Sequence, residues 1–269
     1  MAARSRDFVA KPNPRNGRCR LISGNWKMNL NHLEAISLVQ KLHYSLRESD
    51  YHFAEISVHP PFTALRSIQL LLETDRIPIS LGAQNCYFEE SGAYTGEISS
   101  SMLGKLGVKY VIVGHSERRD LFGESNEIVA KKVNAVLGLE MTPIVCVGES
   151  MSQREGAETE SVIQAQVDAV VTAMRPELCE QIVFAYEPKW AIGSGVPAEP
   201  ADAVFGANAI RSAVAKHHGE PVANSVRVQY GGSVNSANAK EFLDQAEIDG
   251  LLVGGASLTA EAFTTIIQA

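Results

Sequence analysis

The chain alternates between short apolar runs and longer stretches whose apolar residues return every three or four positions. The runs cover residues 20–23, 54–59, 77–82, 110–114, 142–148, 181–186, 226–230 and 250–254. Most are continuous and contain β-branched residues, the pattern of strands buried on both faces. The stretches between them read as amphipathic helices. Leu33, Ile36, Val39, Leu42 and Leu46 share a helical face, and Asn31 stands in position to cap it. Residues 62–72, 124–137, 160–174, 202–217, 236–243 and 259–267 also read as helices, with Ser125 placed as a cap. His217-His218-Gly219 reads as a helix C-terminus.

This rhythm defines an α/β fold assembled from βα units. A doubly wound open sheet shares the rhythm. The count of eight strands, and glycine at or near several strand ends, favour a single closed (β/α)8 barrel with eight parallel strands, a fold of roughly 250 residues. No linker or low-complexity segment divides residues 20–269, so they form one barrel domain. Residues 1–19 differ. They carry Arg4, Arg6, Arg15 and Arg18 with Pro12 and Pro14 and little apolar content; they lack the apolar core of a secretory signal, and Asp7 and the absence of an amphipathic stripe favour a disordered tail over an Arg-rich transit peptide.

Charge and composition then exclude several classes. The 269 residues hold 24 Lys+Arg against 31 Asp+Glu, a net charge of −7, which argues against a nucleic-acid partner. An anionic ligand needs local donors here, since the global field repels it. No run of 18 apolar residues predicts a membrane helix. The four cysteines form no C-x-x-C pair and read as free thiols of a reducing, cytoplasmic compartment. No H-E-x-x-H or paired-ligand cluster suggests a metal, and no cofactor is implied.

In a barrel of this kind, chemistry sits on the loops after the strands. After the first strand comes Gly24-Asn25-Trp26-Lys27-Met28-Asn29, which points a lysine at the barrel mouth. After the fourth comes Gly114-His115-Ser116-Glu117-Arg118-Arg119. Such a density of ionisable groups is costly unless they pair or do chemistry. It is not a hydrolase elbow, because Arg118 stands where that motif needs glycine. A structural histidine and a Glu117–Arg118 ion pair remain open readings of these residues alone. After the sixth strand, Glu187 follows wholly apolar residues, where a dry pocket would raise its pKa and make it a general base. Pro188, Lys189, Trp190, Ala191, Ile192, Gly193, Ser194, Gly195 and Val196 then form an apolar loop tip with two glycines, which reads as a lid. Tyr230-Gly231-Gly232-Ser233 and Gly254-Gly255-Ala256-Ser257 close the last two strands, the place where such barrels cradle phosphate. A base, a histidine, a lysine, a phosphate cradle and a lid suit proton abstraction beside a carbonyl on a phosphorylated sugar.

These motifs, in this order from about residue 20 to the C-terminus, resemble the triosephosphate isomerase family. The resemblance implies interconversion of dihydroxyacetone phosphate and D-glyceraldehyde 3-phosphate, in glycolysis and gluconeogenesis. It implies that Glu187 is the base and that His115 is a neutral electrophile, its pKa lowered by a helix N-terminus so that imidazole acts and not imidazolium, a worked case of pKa tuning for this family. Lys27 and Asn25 would stabilise the enediolate, with Glu117 paired to Lys27. Gly193, Ser233, Gly254 and Gly255 would offer N–H groups to the phosphate. The stretch from Gln84-Asn85-Cys86-Tyr87 to Gly92-Ala93-Tyr94-Thr95-Gly96-Glu97 resembles the family's long third loop, which implies a homodimer with Thr95 at the partner's site. Two departures stand out. Lys189 replaces a usually apolar hinge residue, and Val196-Pro197-Ala198 replaces a more polar one, which predicts altered lid kinetics with intact chemistry. A four-carbon ketose phosphate as substrate, and a non-catalytic form of the same fold, are the alternatives. The presence of Asn25, Lys27, His115 and Glu187 weighs against the second.

Overall fold

The computed structural model describes residues 8–192 and 198–269. Its strands are β1 (Arg20–Asn25), β2 (Ala54–His59), β3 (Ser80–Ala83), β4 (Tyr110–Val113), β5 (Thr142–Val147), β6 (Val183–Tyr186), β7 (Arg227–Tyr230) and β8 (Gly250–Val253). All pair in parallel in chain order, and β8 returns to β1 with Leu21 opposite Gly250 and Gly24 opposite Val253. The sheet therefore closes on itself, with helices packed around it. This is the expected (β/α)8 barrel.

Both faces of the sheet are buried, which explains the continuous apolar runs. Outside, the strands meet helices through Ile56, Val113, Val145 and Phe184. Inside, Leu21, Ile112, Ile144, Cys146 and Leu252 fill part of the barrel. Val183 and Ala185 belong to the same cluster, and polar groups share the interior with it. Gln229 donates to the Leu21 and Leu251 carbonyls and to Ser23 Oγ, the Ser23 and Ser57 hydroxyls lie 2.9 Å apart, and Ser57 Oγ lies 3.0 Å from His59 Nε2. Gly82 makes room for that ring, since a Cβ there would lie 2.2 Å from it.

Local signals explain the helices. Asn31 caps His32–Ser45 in a full capping box with Glu34, Ser125 caps Asn126–Leu137, and Thr259 caps Ala260–Ile267. The helix His32–Ser45 buries Ala35, Leu38, Val39 and Leu42, while Leu33 is exposed. The expected stripe is thus rotated within its first turn. At Gly219 (φ 80°) the helical stretch Pro200–Ser225 breaks, at the helix end that the sequence predicts. The short helices Glu48–Phe53, Ser100–Lys105, Ser116–Phe122, Met151–Glu155 and Pro176–Cys179 have no counterpart in the sequence pattern; each is too short to display an apolar stripe.

Residues 8–19, assigned by sequence to the tail, lie against the protein. Lys11 N–H donates to the His52 carbonyl, Pro12 bridges Cys19, and Arg18 pairs with the buried Asp249 at 2.7 Å. Arg211 reaches the same carboxylate at 2.8 Å. Among the described residues no disulfide joins the cysteines, three of which are buried. None of the described helices is long and apolar enough to cross a membrane.

Candidate active site

The strand ends deliver their side chains to one place. Asn25, Lys27, His115, Glu187, Ile192, Ser233, Gly254 and Gly255 line a cavity of about 370 Å³. Glu117 stands beside it, bonded to Lys27. Gly193, Ser194, Gly195 and Val196 of the expected lid lie outside the described residues, as does Pro197. Thr95 is on the exposed stretch 89–97.

Lys27 has φ 52°, a left-handed conformation uncommon for a residue with a side chain. Its neighbours hold it there. Asn25 Oδ1 accepts its N–H at 3.1 Å, and Gln84 Nε2 donates to its carbonyl at 2.8 Å. Fixed strain of this kind is found at functional sites. The Lys27 ammonium is 2.5 Å from Glu117 Oε1, which aims it along the cavity wall.

His115 ends the β4 segment and caps the helix Ser116–Phe122 with its ring. Nδ1 accepts the Glu117 N–H at 3.2 Å. Only an unprotonated Nδ1 can do so, which puts the proton of the neutral ring on Nε2. That Nε2 lies 3.1 Å from Glu187 Oε1. The resemblance implies a lowered pKa for His115, and this arrangement gives the opposite direction: burial disfavours a charged ring, but the contact with the Glu187 carboxylate outweighs it and carries the pKa above its ordinary value.

Glu187 follows β6 and is 2 % exposed. Its other oxygen, Oε2, accepts the Ser116 N–H at 3.0 Å. The sequence predicts a raised pKa, and the structure corrects this. Burial does push the carboxyl up, but His115, the Ser116 N–H and Lys27 together bring it below its ordinary value. Burial alone misleads because the decisive partners come from another strand end. The backbone is equally close-fitting: a Cβ on Gly148 would lie 1.9 Å from the Glu187 carbonyl oxygen.

Two contributors escape a reading of the sequence. Ser116 acts through its main chain, which no side-chain motif reveals. Glu149, 1 % exposed, accepts from Trp190 Nε1 at 2.8 Å and from the Tyr186 hydroxyl at 3.1 Å. It follows β5, so the strand-end rule that finds Glu187 could have found it too. Trp190 is buried under the Arg154 guanidinium, 3.7 Å from its ring, so this part of the expected lid is anchored. Cys146 is fully buried beside Glu187, and burial together with that carboxylate holds its thiol well above its ordinary pKa. Gly255 opens a short 3-10 helix whose first N–H groups have no partner within the turn, a suitable anion corner. Among the described residues no group of three or more His, Cys, Asp or Glu could hold a metal ion.

Fold and site together define a (β/α)8 barrel equipped to move a proton on an anionic ligand. The family model for triosephosphate isomerase matches residues 20–269. A triosephosphate isomerase of Saccharopolyspora erythraea is 50% identical over 246 residues, 91% of this chain and 94% of that protein. One of Rhodococcus jostii is 49% identical over 246 residues (91% and 94%), and one of Streptomyces avermitilis 49% over 251 residues (93% and 97%). The chain belongs to the triosephosphate isomerase family.

Proposed function

We propose that the protein interconverts dihydroxyacetone phosphate and D-glyceraldehyde 3-phosphate, as a cytoplasmic enzyme of glycolysis and gluconeogenesis. The observation that carries this reading is the buried Glu187 carboxylate set 3.1 Å from His115 Nε2 in a cavity shared with Lys27. Glu187 removes a proton from the substrate carbon beside the carbonyl, and the electron pair becomes an enediolate. His115 Nε2–H donates to the oxygen that gains charge, then takes a proton from the neighbouring oxygen. Glu187 returns its proton to the adjacent carbon. Atoms balance without any electron leaving the substrate, so the step requires no redox cofactor. In its resting contact with His115 and the Ser116 N–H, Glu187 has a pKa below the ordinary carboxylate value, so it is ionised at neutral pH before it moves to the substrate. Lys27, oriented by Glu117 and supported by Asn25, offsets the enediolate charge. Ser233, Gly254 and Gly255, with Gly193, hold the phosphate, and Pro188 to Val196 act as the lid.

A homodimer completes the reading. Met28, Phe62, Leu121 and Phe122 are exposed around a groove of about 380 Å³ that also reaches Lys27 and His115. Its occupant is the stretch around Thr95 of the partner subunit.

A coupled assay on the purified protein tests the activity, with glyceraldehyde 3-phosphate and a four-carbon erythrulose phosphate compared. Fast triose turnover is expected, and Glu187→Gln should lower kcat by about 10²–10⁴-fold. Turnover of the tetrulose alone would transfer the assignment to that substrate. A Glu187→Gln protein as active as wild type would sink the mechanism.

A further inference from the structure

We propose that Lys189 and Asp120 are positioning residues whose ion pair holds the empty site in a resting arrangement and yields when Glu187 moves to the substrate. The proposal rests on the isomerase reading above. Lys189 lies two residues beyond the base, on the short turn Lys189–Ala191. Asp120 lies on the helix Ser116–Phe122, whose cap is His115. Lys189 Nζ and Asp120 Oδ1 are 2.5 Å apart.

The same two segments meet a second time at the chemistry. Glu187 holds His115 Nε2 with one oxygen and the Ser116 N–H with the other. In that arrangement both reactive groups are spent on each other. Nε2 can face a substrate oxygen only once Glu187 has left it, so this is a resting state. The ion pair stands outside the cavity and joins the segment carrying the base to the helix carrying the imidazole. Separation of these segments costs the contact at Glu187 and the contact at Lys189 together. The backbone around the pair is fixed on the other side: Lys189 N–H donates to the Glu149 carbonyl at 3.0 Å, and Trp190 is bonded to the Glu149 side chain. Lys189 thus has a firm base from which to pull on Asp120.

The pair is partly solvated, with the Lys189 side chain 26% and the Asp120 side chain 51% exposed. Exposed pairs are weak and screened by salt. This suits a restraint that has to break in every turnover. If the substrate-competent arrangement is only a fraction of the empty enzyme, its apparent affinity is lowered by that fraction, and release of the restraint restores it.

Wild type, Lys189→Met, Asp120→Asn, the double variant and the swapped pair Lys189→Asp with Asp120→Lys are compared in two ways. In ligand-free protein, the imidazole NMR titration of His115 reports its contact with Glu187 without any turnover. Kinetics with glyceraldehyde 3-phosphate at low and high salt then separate KM from kcat. Either single variant should lower the His115 pKa and lower KM about two- to fivefold. The double variant should do no more than a single one, high salt should narrow its difference from wild type, and the swapped pair should restore wild-type values. A His115 titration and KM that do not change, additive single effects, or failure of the swap would overturn the proposal. If the titration shifts as expected but no variant nor wild type turns over triose phosphate, the positioning role stands and the isomerase reading falls.

Discussion

His59 is an imidazole buried inside the barrel that no catalytic step uses. Its Nδ1 lies 3.1 Å from the Ala83 carbonyl and its Nε2 faces Ser57, so one proton satisfies the neutral ring. Burial lowers its pKa to about 4, with the Ala83 bond opposing. In the unfolded chain an ordinary value near 6.5 returns. Above that pH both states hold a neutral ring and no penalty arises. As pH falls from about 6.5 to about 4, the unfolded chain binds a proton that the native ring refuses, and stability drops by about 1.4 kcal/mol per unit. The full loss is about 3 kcal/mol by this reckoning. His59→Leu removes this dependence. It should be less stable than wild type at pH 7.5, because the Ser57 and Ala83 partners are lost, and the gap should shrink by about 2 kcal/mol at pH 5. Urea unfolding at the two pH values measures this, and a gap that stays constant would show that the ring is protonated in the native barrel.

Between elements, the carboxylate of Glu149 links the end of β6 to the turn Lys189–Ala191 through Tyr186 and Trp190. Glu149→Leu takes the acceptor from a buried phenol and from the indole bond, which should cost about 1–3 kcal/mol. It should also lower kcat, because the turn lies directly behind Glu187. Glu149→Gln, which retains an oxygen, should lose less on both counts; unchanged stability and rate in Glu149→Leu would remove Glu149 from the site's support. This element-level framework also shows what a sequence reveals. Strand ends are legible because a polar residue that directly follows a buried run must pair or do chemistry to offset its desolvation, as at Asn25, His115 and Glu187. The helix Ser116–Phe122 is not, since its sequence SERRDLF has no apolar stripe and ends in exposed Leu121 and Phe122. The sign of the Glu187 pKa shift is not legible either. It is decided by a ring and an N–H some seventy residues away in the chain, which only the closed barrel brings together. The third strand occupies Ser80–Ala83 rather than the apolar run 77–82, because Ile77 and Ile79 are buried without being paired in the sheet.

At the scale of the molecule, one groove sets the assembly against the chemistry. Met28 is 96% exposed, Leu121 74% and Phe122 66%, a grouping of apolar side chains that water does not favour. Asn25, Lys27 and His115 line both this groove and the cavity that holds Glu187. A partner seated in the groove therefore forms a wall behind the lysine and the imidazole. It excludes water there and limits their movement. Dissociation should then cost activity as well as assembly. Leu121→Lys is a suitable probe, because an exposed position in the last turn of a helix accepts a lysine without loss of the fold. On the proposed homodimer, sedimentation equilibrium should show a dimer for wild type and a monomer for Leu121→Lys. Turnover should fall at least tenfold, since small displacements of reacting groups are expensive. A monomer with full activity would separate the groove from catalysis, and a Leu121→Lys protein that stays dimeric would move the interface elsewhere on the barrel.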